Sequence, residues 1–259
     1  MITEGDIVGR KSYNLDIIFE VSEIKDEQAI LIGKTVRLIA DAPLDDLEIV
    51  NNDKLEEEEA IEEELIRDIT ESSRFDYRKK FLTGKILHID GDEKYMKKCL
   101  NVYKQLGIYA VGISAEEEDI PSIITKYVKY LSPDIVVITG HDSFNRKEQD
   151  EVGNYRNSRH YIDAVKMIRR SYPVSNQPIV IAGACQSHFE ALIAAGANFA
   201  SSPKRVNIHS LDPAIIAIKC SITPFNETVN VFDAVERTSN KYDGMGGIDS
   251  FGTLKTLHY

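Results

Sequence analysis

The feature that most limits what this chain can fold into is a series of short, wholly apolar runs between Lys85 and Ser201, each followed by an amphipathic stretch. Lys85-Ile86-Leu87-His88-Ile89, residues 108–113, Asp134-Ile135-Val136-Val137-Ile138-Thr139-Gly140-His141 and Pro178-Ile179-Val180-Ile181-Ala182-Gly183-Ala184-Cys185 lack polar alternation, and residues 198–201 add a shorter fifth run. Strands of this kind are covered on both faces, the condition of a parallel sheet with crossover helices. The segments between them read as helices. Residues 92–106 offer Tyr95, Cys99, Leu100, Val102, Tyr103 and Leu106 to a core and stop at Gly107; residues 120–131 stop before Pro133; residues 155–171 and 187–195 complete the set. A three-layer α/β domain is expected over residues 82–259.

The rest of the chain has a different texture. Residues 1–50 hold five short apolar or alternating runs (Ile7-Val8, Ile17-Ile18-Phe19-Glu20-Val21, Ala29-Ile30-Leu31-Ile32, Val36-Arg37-Leu38-Ile39, Leu47-Glu48-Ile49-Val50) separated by turn-formers. That spacing predicts a small SH3-like β-barrel, either a structural addition or a docking module. Residues 51–81 form a charged, helical or partly disordered linker: Leu55, Ile61, Leu65 and Ile69 recur at helical spacing among glutamates. Residues 53–71 alone carry a net −8, leaving −3 of the formal −11 for the remainder. The acidity therefore belongs to one segment, and an acidic chain is not expected to hold nucleic acid.

Composition excludes other classes. No apolar run approaches the roughly 18 residues a membrane-spanning helix needs, and residues 1–6 have neither a basic nor an apolar leader region, so a cytoplasmic protein without a membrane partner is expected. The three cysteines, Cys99, Cys185 and Cys220, are odd in number with no C-x-x-C pair, so neither disulfides nor a metal site is expected, and no cofactor. Gly244-Met245-Gly246-Gly247 matches no phosphate-binding pattern and reads as a flexible loop.

Two strands end in reactive residues, and active sites in open parallel sheets lie at those carboxyl ends. His141 follows one and Cys185 another, 44 residues on. On adjacent strands, about 4.8 Å apart, or on strands one removed, about 10 Å apart, they can face one cleft. A helix starting near Ser187 and the imidazole of His141 would both lower the Cys185 thiol pKa, leaving it partly thiolate at neutral pH. Cys185 would attack a carbonyl, the backbone N–H groups of Cys185 and Asp142 would hold the oxyanion, and His141 would protonate the leaving amine. A cysteine after an apolar strand is more often a core residue, the reading given to Cys99 and Cys220. His188 lies near enough to tune the site, although a surface histidine is the commoner case. His209, in Asn207-Ile208-His209-Ser210-Leu211-Asp212-Pro213, offers an alternative base for a cysteine amidase or transferase, and a non-catalytic α/β binding module is a third reading. Asp90 and Asp92 end the first strand as an acid cluster without the rest of a receiver pattern.

The order His then Ala-Cys resembles the caspase-like arrangement shared with legumains, clostripain and gingipains; Asp142 stands where those families usually have glycine. Over nearly its whole length the chain also resembles the YabG family of sporulation-specific cysteine proteases. The matching residues are Gly5-Asp6-Ile7-Val8-Gly9-Arg10-Lys11-Ser12-Tyr13, 36–41, 88–107, 138–142 and above all Ala182-Gly183-Ala184-Cys185-Gln186-Ser187-His188-Phe189-Glu190 onward to Pro213. The linker matches less well. The resemblance implies a cysteine endopeptidase that processes spore coat and cortex-associated proteins, prefers Arg at the cleaved bond, processes itself, and works in the sporulating cell at the developing coat. Arg preference would need a pocket carboxylate, with Asp142 and Asp212 as candidates, and Arg74 and Arg78 in the linker are candidate self-cleavage positions.

Overall fold

The computed structural model describes residues 2–73, 81–144 and 151–257. Five short strands, β1 (Ile7–Arg10), β2 (Phe19–Lys25), β3 (Gln28–Gly33), β4 (Ile39–Pro43) and β5 (Leu47–Ile49), form an antiparallel sheet in the order β4-β3-β2-β1-β5. The fourth strand corrects the sequence reading. Val36, Arg37 and Leu38 alternate as a strand would, yet β4 begins only at Ile39, and residues 34–38 form the tip of the β3–β4 hairpin, closed by the Gly33 N–H donating to the Leu38 carbonyl at 3.0 Å.

Helix α1 (Asn52–Ser72) follows, its start set by the Asn51 side chain accepting from the Lys54 N–H. Most of its glutamates are exposed, whereas Glu62 turns inward to Lys98 at 2.6 Å and Ile69 is buried. The alternation of apolar and amphipathic segments from Lys85 onward becomes β7 (Ile86–Asp90), α2 (Glu93–Gln105), β8 (Ala110–Ser114), α3 (Ile120–Leu131), β9 (Ile135–Thr139), α4 (Ser158–Ser171), β10 (Ile179–Ala182), α5 (Phe189–Ala195), β11 (Phe199–Ser201) and α6 (Asp212–Ile222), preceded by the short β6 (Phe81–Leu82). The chain ends with β12 (Thr228–Val229), α7 (Val231–Val235), α8 (Lys241–Gly244), β13 (Met245–Gly247), β14 (Ser250–Phe251) and β15 (Lys255–Thr256). The glycine-rich stretch expected to be a flexible loop is instead β13, which pairs antiparallel with β11 at the sheet edge.

The central sheet runs β13-β11-β10-β9-β7-β8, parallel except for β13. The first and second parallel strands lie outside the third, so the chain reverses direction across the sheet between β7 and β9, where ligand crevices form in such sheets. One face packs on α2 and α6 through Cys99, Val102, Tyr103, Ile215 and Ile218. The other packs on α3, α4 and α5 through Ile120, Ile124, Tyr161, Val165 and Leu192. Val8, Phe19 and Leu31 of the antiparallel sheet belong to the same buried cluster as Ile86 and Val137, so apolar contact is continuous between the two sheets. Among the described residues, no helix is long and apolar enough to cross a membrane.

Candidate active site

The carboxyl ends of β7, β9 and β10 bring Asp90, His141 and Cys185 to one rim. Ile138 pairs with Ala182 across β9 and β10, so His141 and Cys185 each lie three residues beyond a matched pair on neighbouring strands. A side-chain bridge fixes the two loops to one another: the Ser187 hydroxyl donates to Asp142 Oδ2 at 2.8 Å.

His141 is held from its backbone. Its N–H donates to Glu117 Oε1 at 2.7 Å, and its carbonyl accepts from Asn157 Nδ2 at 2.8 Å and the Tyr161 hydroxyl at 2.9 Å. Gly140 makes room for this, because a Cβ there would collide with Glu117 and with the Tyr161 hydroxyl. The ring sits between carboxylates, with Nδ1 3.7 Å from Glu117 Oε1 and Nε2 3.5 Å from Asp92 Oδ2. Burial works against ionisation of Glu117, but the His141 donors hold its carboxyl below the ordinary range. Nε2 itself is buried without a hydrogen-bond partner among the described residues. A polar atom in that condition costs free energy unless something arrives to pair it.

Cys185 is fully buried. Its sulfur accepts the Ile208 N–H at 3.1 Å and lies 3.5 Å from the Ile208 carbonyl, while its own N–H donates to the Arg37 carbonyl at 3.3 Å. This corrects the expected thiolate. Burial pushes the thiol up to about 12, because desolvation outweighs nearby donors. The helix expected at Ser187 begins only at Phe189, with His188 as its cap, so it is not adjacent to the sulfur. Among the described residues no hydrogen bond joins Cys185 to His141. Gln186, at φ 58°, turns the chain away after Cys185 and donates its N–H to the Val206 carbonyl at 3.1 Å.

The other candidates are placed as follows. Asp142 is buried and its carboxylate accepts from the N–H groups of Ser143 (2.9 Å) and Asn157 (2.8 Å) and the hydroxyls of Ser158 (2.5 Å) and Ser187. Burial still raises it to about 6. Asp212 is buried and accepts from the His209 N–H at 2.9 Å and from both the N–H (2.9 Å) and hydroxyl (2.6 Å) of Ser239. Both carboxylates are occupied in bracing loops. His188 accepts the Ala191 N–H at Nδ1 (3.3 Å) and its ring lies 5.0 Å from that of Tyr155. His209 is committed similarly: Nδ1 accepts the Leu211 N–H at 3.2 Å and Nε2 is 3.9 Å from Glu62. Burial lowers the His209 pKa. Arg74 and Arg78 lie outside the described residues. Among the described residues no group of three or more His, Cys, Asp or Glu could hold a metal ion. Cys99 and Cys220 are buried free thiols, as expected of packing residues.

Two rim residues escaped the sequence reading. Arg37 is fully buried, and its guanidinium Nη1 is 2.9 Å from Asp90 Oδ1. Glu117 lies in a loop before α3 and meets His141 only through the fold. A cation inside the otherwise apolar Val36-Arg37-Leu38-Ile39 run was the one available signal for the first; nothing local marked the second.

The chain is 42% identical over 277 residues to the sporulation-specific protease YabG of Bacillus subtilis (strain 168), covering 97% of this chain and 96% of that protein. No solved structure matches it. A family model described as YabG peptidase U57 matches residues 3–258, and on that extent the chain belongs to the YabG peptidase family.

Proposed function

We propose that the protein is a sporulation-specific cysteine endopeptidase with Cys185 as nucleophile and His141 as acid/base partner. The carrying observation is the matched register of β9 and β10, which sets both residues at one height on adjacent strands, tied by the Ser187–Asp142 hydrogen bond. In this reading the Cys185 sulfur attacks the scissile carbonyl and its proton passes to His141. The Cys185 and Asp142 N–H groups bind the oxyanion; His141 then gives its proton to the departing amine and takes one from the water that releases the acyl group. The unpartnered Nε2 of His141 is the atom suited to that traffic, with Glu117 and Asp92 stabilising the imidazolium. Because the thiol is buried and bonded to Ile208, it must exchange that contact for solvent or substrate before it ionises.

The finer reading follows the family. The α/β unit, residues 82–259, is a caspase-like peptidase domain, residues 1–50 an SH3-like barrel and residues 51–81 the charged connection. Substrates are spore coat and cortex-associated proteins cleaved after Arg, the enzyme processes itself, and it acts in the sporulating cell at the coat. Incubation of the purified protein with fluorogenic peptides ending in Arg, Lys, Leu or Asp tests this. Cleavage is expected after Arg, reduced to background in Cys185→Ala and His141→Ala but retained in His209→Ala. Retained activity in Cys185→Ala would overturn the assignment, and loss only in His209→Ala would shift the base to that residue.

A further inference from the structure

We propose that Asp90 is the specificity carboxylate of a guanidinium pocket beside Cys185, and that the β3–β4 hairpin tip fills this pocket with Arg37 as an internal substrate mimic. The inference rests on Cys185 being the nucleophile. The backbone of Arg37 is bound as that of a residue at a scissile bond would be: its carbonyl accepts from the Cys185 N–H at 3.3 Å, and its N–H donates to the Ile208 carbonyl at 3.2 Å. Its neighbours span the cleft, Val36 bridging to His209 on one side and Leu38 to Asp142 on the other. The hairpin tip therefore lies between the loop that carries His141 and the loop that faces Cys185.

The side chain enters a built pocket. Nη1 reaches Asp90 Oδ1 at 2.9 Å, while Nε (3.1 Å) and Nη2 (2.7 Å) both donate to the Ser210 carbonyl. The Tyr95 ring lies 5.1 Å from the guanidinium carbon, within cation–π range. Asp90 is in turn fixed by others: Oδ1 accepts the Asp92 N–H at 3.0 Å and Oδ2 is 3.3 Å from His88 Nε2, whose Nδ1 meets the Tyr103 hydroxyl at 3.0 Å. A carboxylate only accepts, so His88 donates from Nε2 and accepts the hydrogen bond of the Tyr103 hydroxyl at Nδ1. This planar, forked recognition suits arginine and not lysine.

A buried ion pair alone would be explained as a tie between the two sheets. Such a tie requires no particular position for the main chain, whereas here the carbonyl next to the guanidinium is received by the N–H assigned to the oxyanion. The bond after Arg37 is also protected from cleavage. The Leu38 N–H donates to the Val36 carbonyl at 2.9 Å, a three-residue turn centred on Arg37, so the would-be leaving nitrogen has its proton directed to Val36 and not toward His141. Tyr95 anchors the tip further through the carbonyls of Gly33 and Val36. A broad cavity lies elsewhere, lined by Pro133, Asp134, Arg169 and Pro178 at the opposite ends of the strands; at Cys185 the hairpin tip lies against the thiol loop.

The test is the rate at which Cys185 of the full-length protein is alkylated by a peptidyl acyloxymethyl ketone ending in Arg, against the same probe ending in Leu, read by intact mass. Arg37→Ala is expected to react with the arginyl probe about tenfold or more faster than the wild type, since emptying the pocket raises the binding-competent fraction. The variant should prefer the arginyl probe, and Arg37→Ala/Asp90→Asn should still react while losing the preference. Equal wild-type and Arg37→Ala rates, or a preference that survives loss of Asp90, would overturn the pocket and leave the nucleophile standing. Failure of every variant and the wild type to react would remove the nucleophile and the pocket together. Should Arg37→Ala not fold, Arg37→Lys supports the same comparison, because lysine lacks the fork that grips Ser210 and releases the tip in part. As a second readout, benzamidine is expected to raise the melting temperature of Arg37→Ala and not of the double variant; equal shifts would count against Asp90.

Discussion

At the tip of β7 a carboxylate is buried against a cation, while just beyond β9 the hydrogen-bond donors to one are, among the described residues, all neutral. Asp90 loses its hydration as completely as Asp142 does. Burial favours the neutral form of both, yet Arg37 and His88 hold Asp90 well below the usual carboxylate range, whereas four N–H and hydroxyl donors leave Asp142 raised to about 6. Neutral donors replace part of the lost hydration; a full positive charge at 2.9 Å does more. The first arrangement makes a pocket that wants a guanidinium, and the second makes a brace between two loops.

Breaking the first arrangement should have the largest effect. Asp90→Asn leaves a buried guanidinium without its counter-charge, a change that costs about 3–5 kcal/mol and should show as a lower urea midpoint with an unchanged slope. Removing both charges in Arg37→Ala/Asp90→Asn should recover most of that loss. If the double variant is no more stable than Asp90→Asn, the pair is not the unit argued here.

The second arrangement predicts an opposite response to pH. An acid whose pKa is higher folded than unfolded contributes stability that is full below its unfolded value, about 3.9, and is lost as pH rises to about 6. Asp142 should thus withdraw up to about 3 kcal/mol across that window. Asp90, depressed, contributes stability at higher pH and loses it as pH falls below the ordinary carboxylate value. Asp142→Asn should flatten the decline between pH 4 and 6, because the Ser158 and Ser187 hydroxyls can turn to accept from the amide; an unchanged profile would reassign the titration. The smallest effect is expected of Ser187→Ala, which removes one donor, costs about 1 kcal/mol and moves the Asp142 titration further up, measurable by carboxyl-carbon NMR.

Local pattern made much of this legible. The wholly apolar runs predicted β7, β9 and β10, Gly107 and Pro133 ended their helices where expected, and the same strands placed His141 and Cys185 on one rim because a parallel sheet aligns carboxyl ends. Asp92 was readable as a helix start and does cap α2 through the Tyr95 N–H. Val36-Arg37-Leu38-Ile39 misled, since alternation signals a half-buried strand only when a neighbouring strand is there to pair with it. Here the partners of Val36 and Leu38 are His209 and Asp142, far along the chain. Asp142 and Asp212 looked available for a substrate because hydrogen bonds from Ser158, Ser187 and Ser239 leave no trace in spacing.

The sequence by itself determined a mostly parallel α/β sheet, an acidic segment before it, and which two strands end in a histidine and a cysteine, because those properties follow from hydrophobic period and composition. Only the tertiary structure decided the state of the thiol, the partner of Asp90 and the residue lying against Cys185. Each depends on which surfaces exclude water together, and desolvation is set by packing across the whole chain and not by neighbours in sequence.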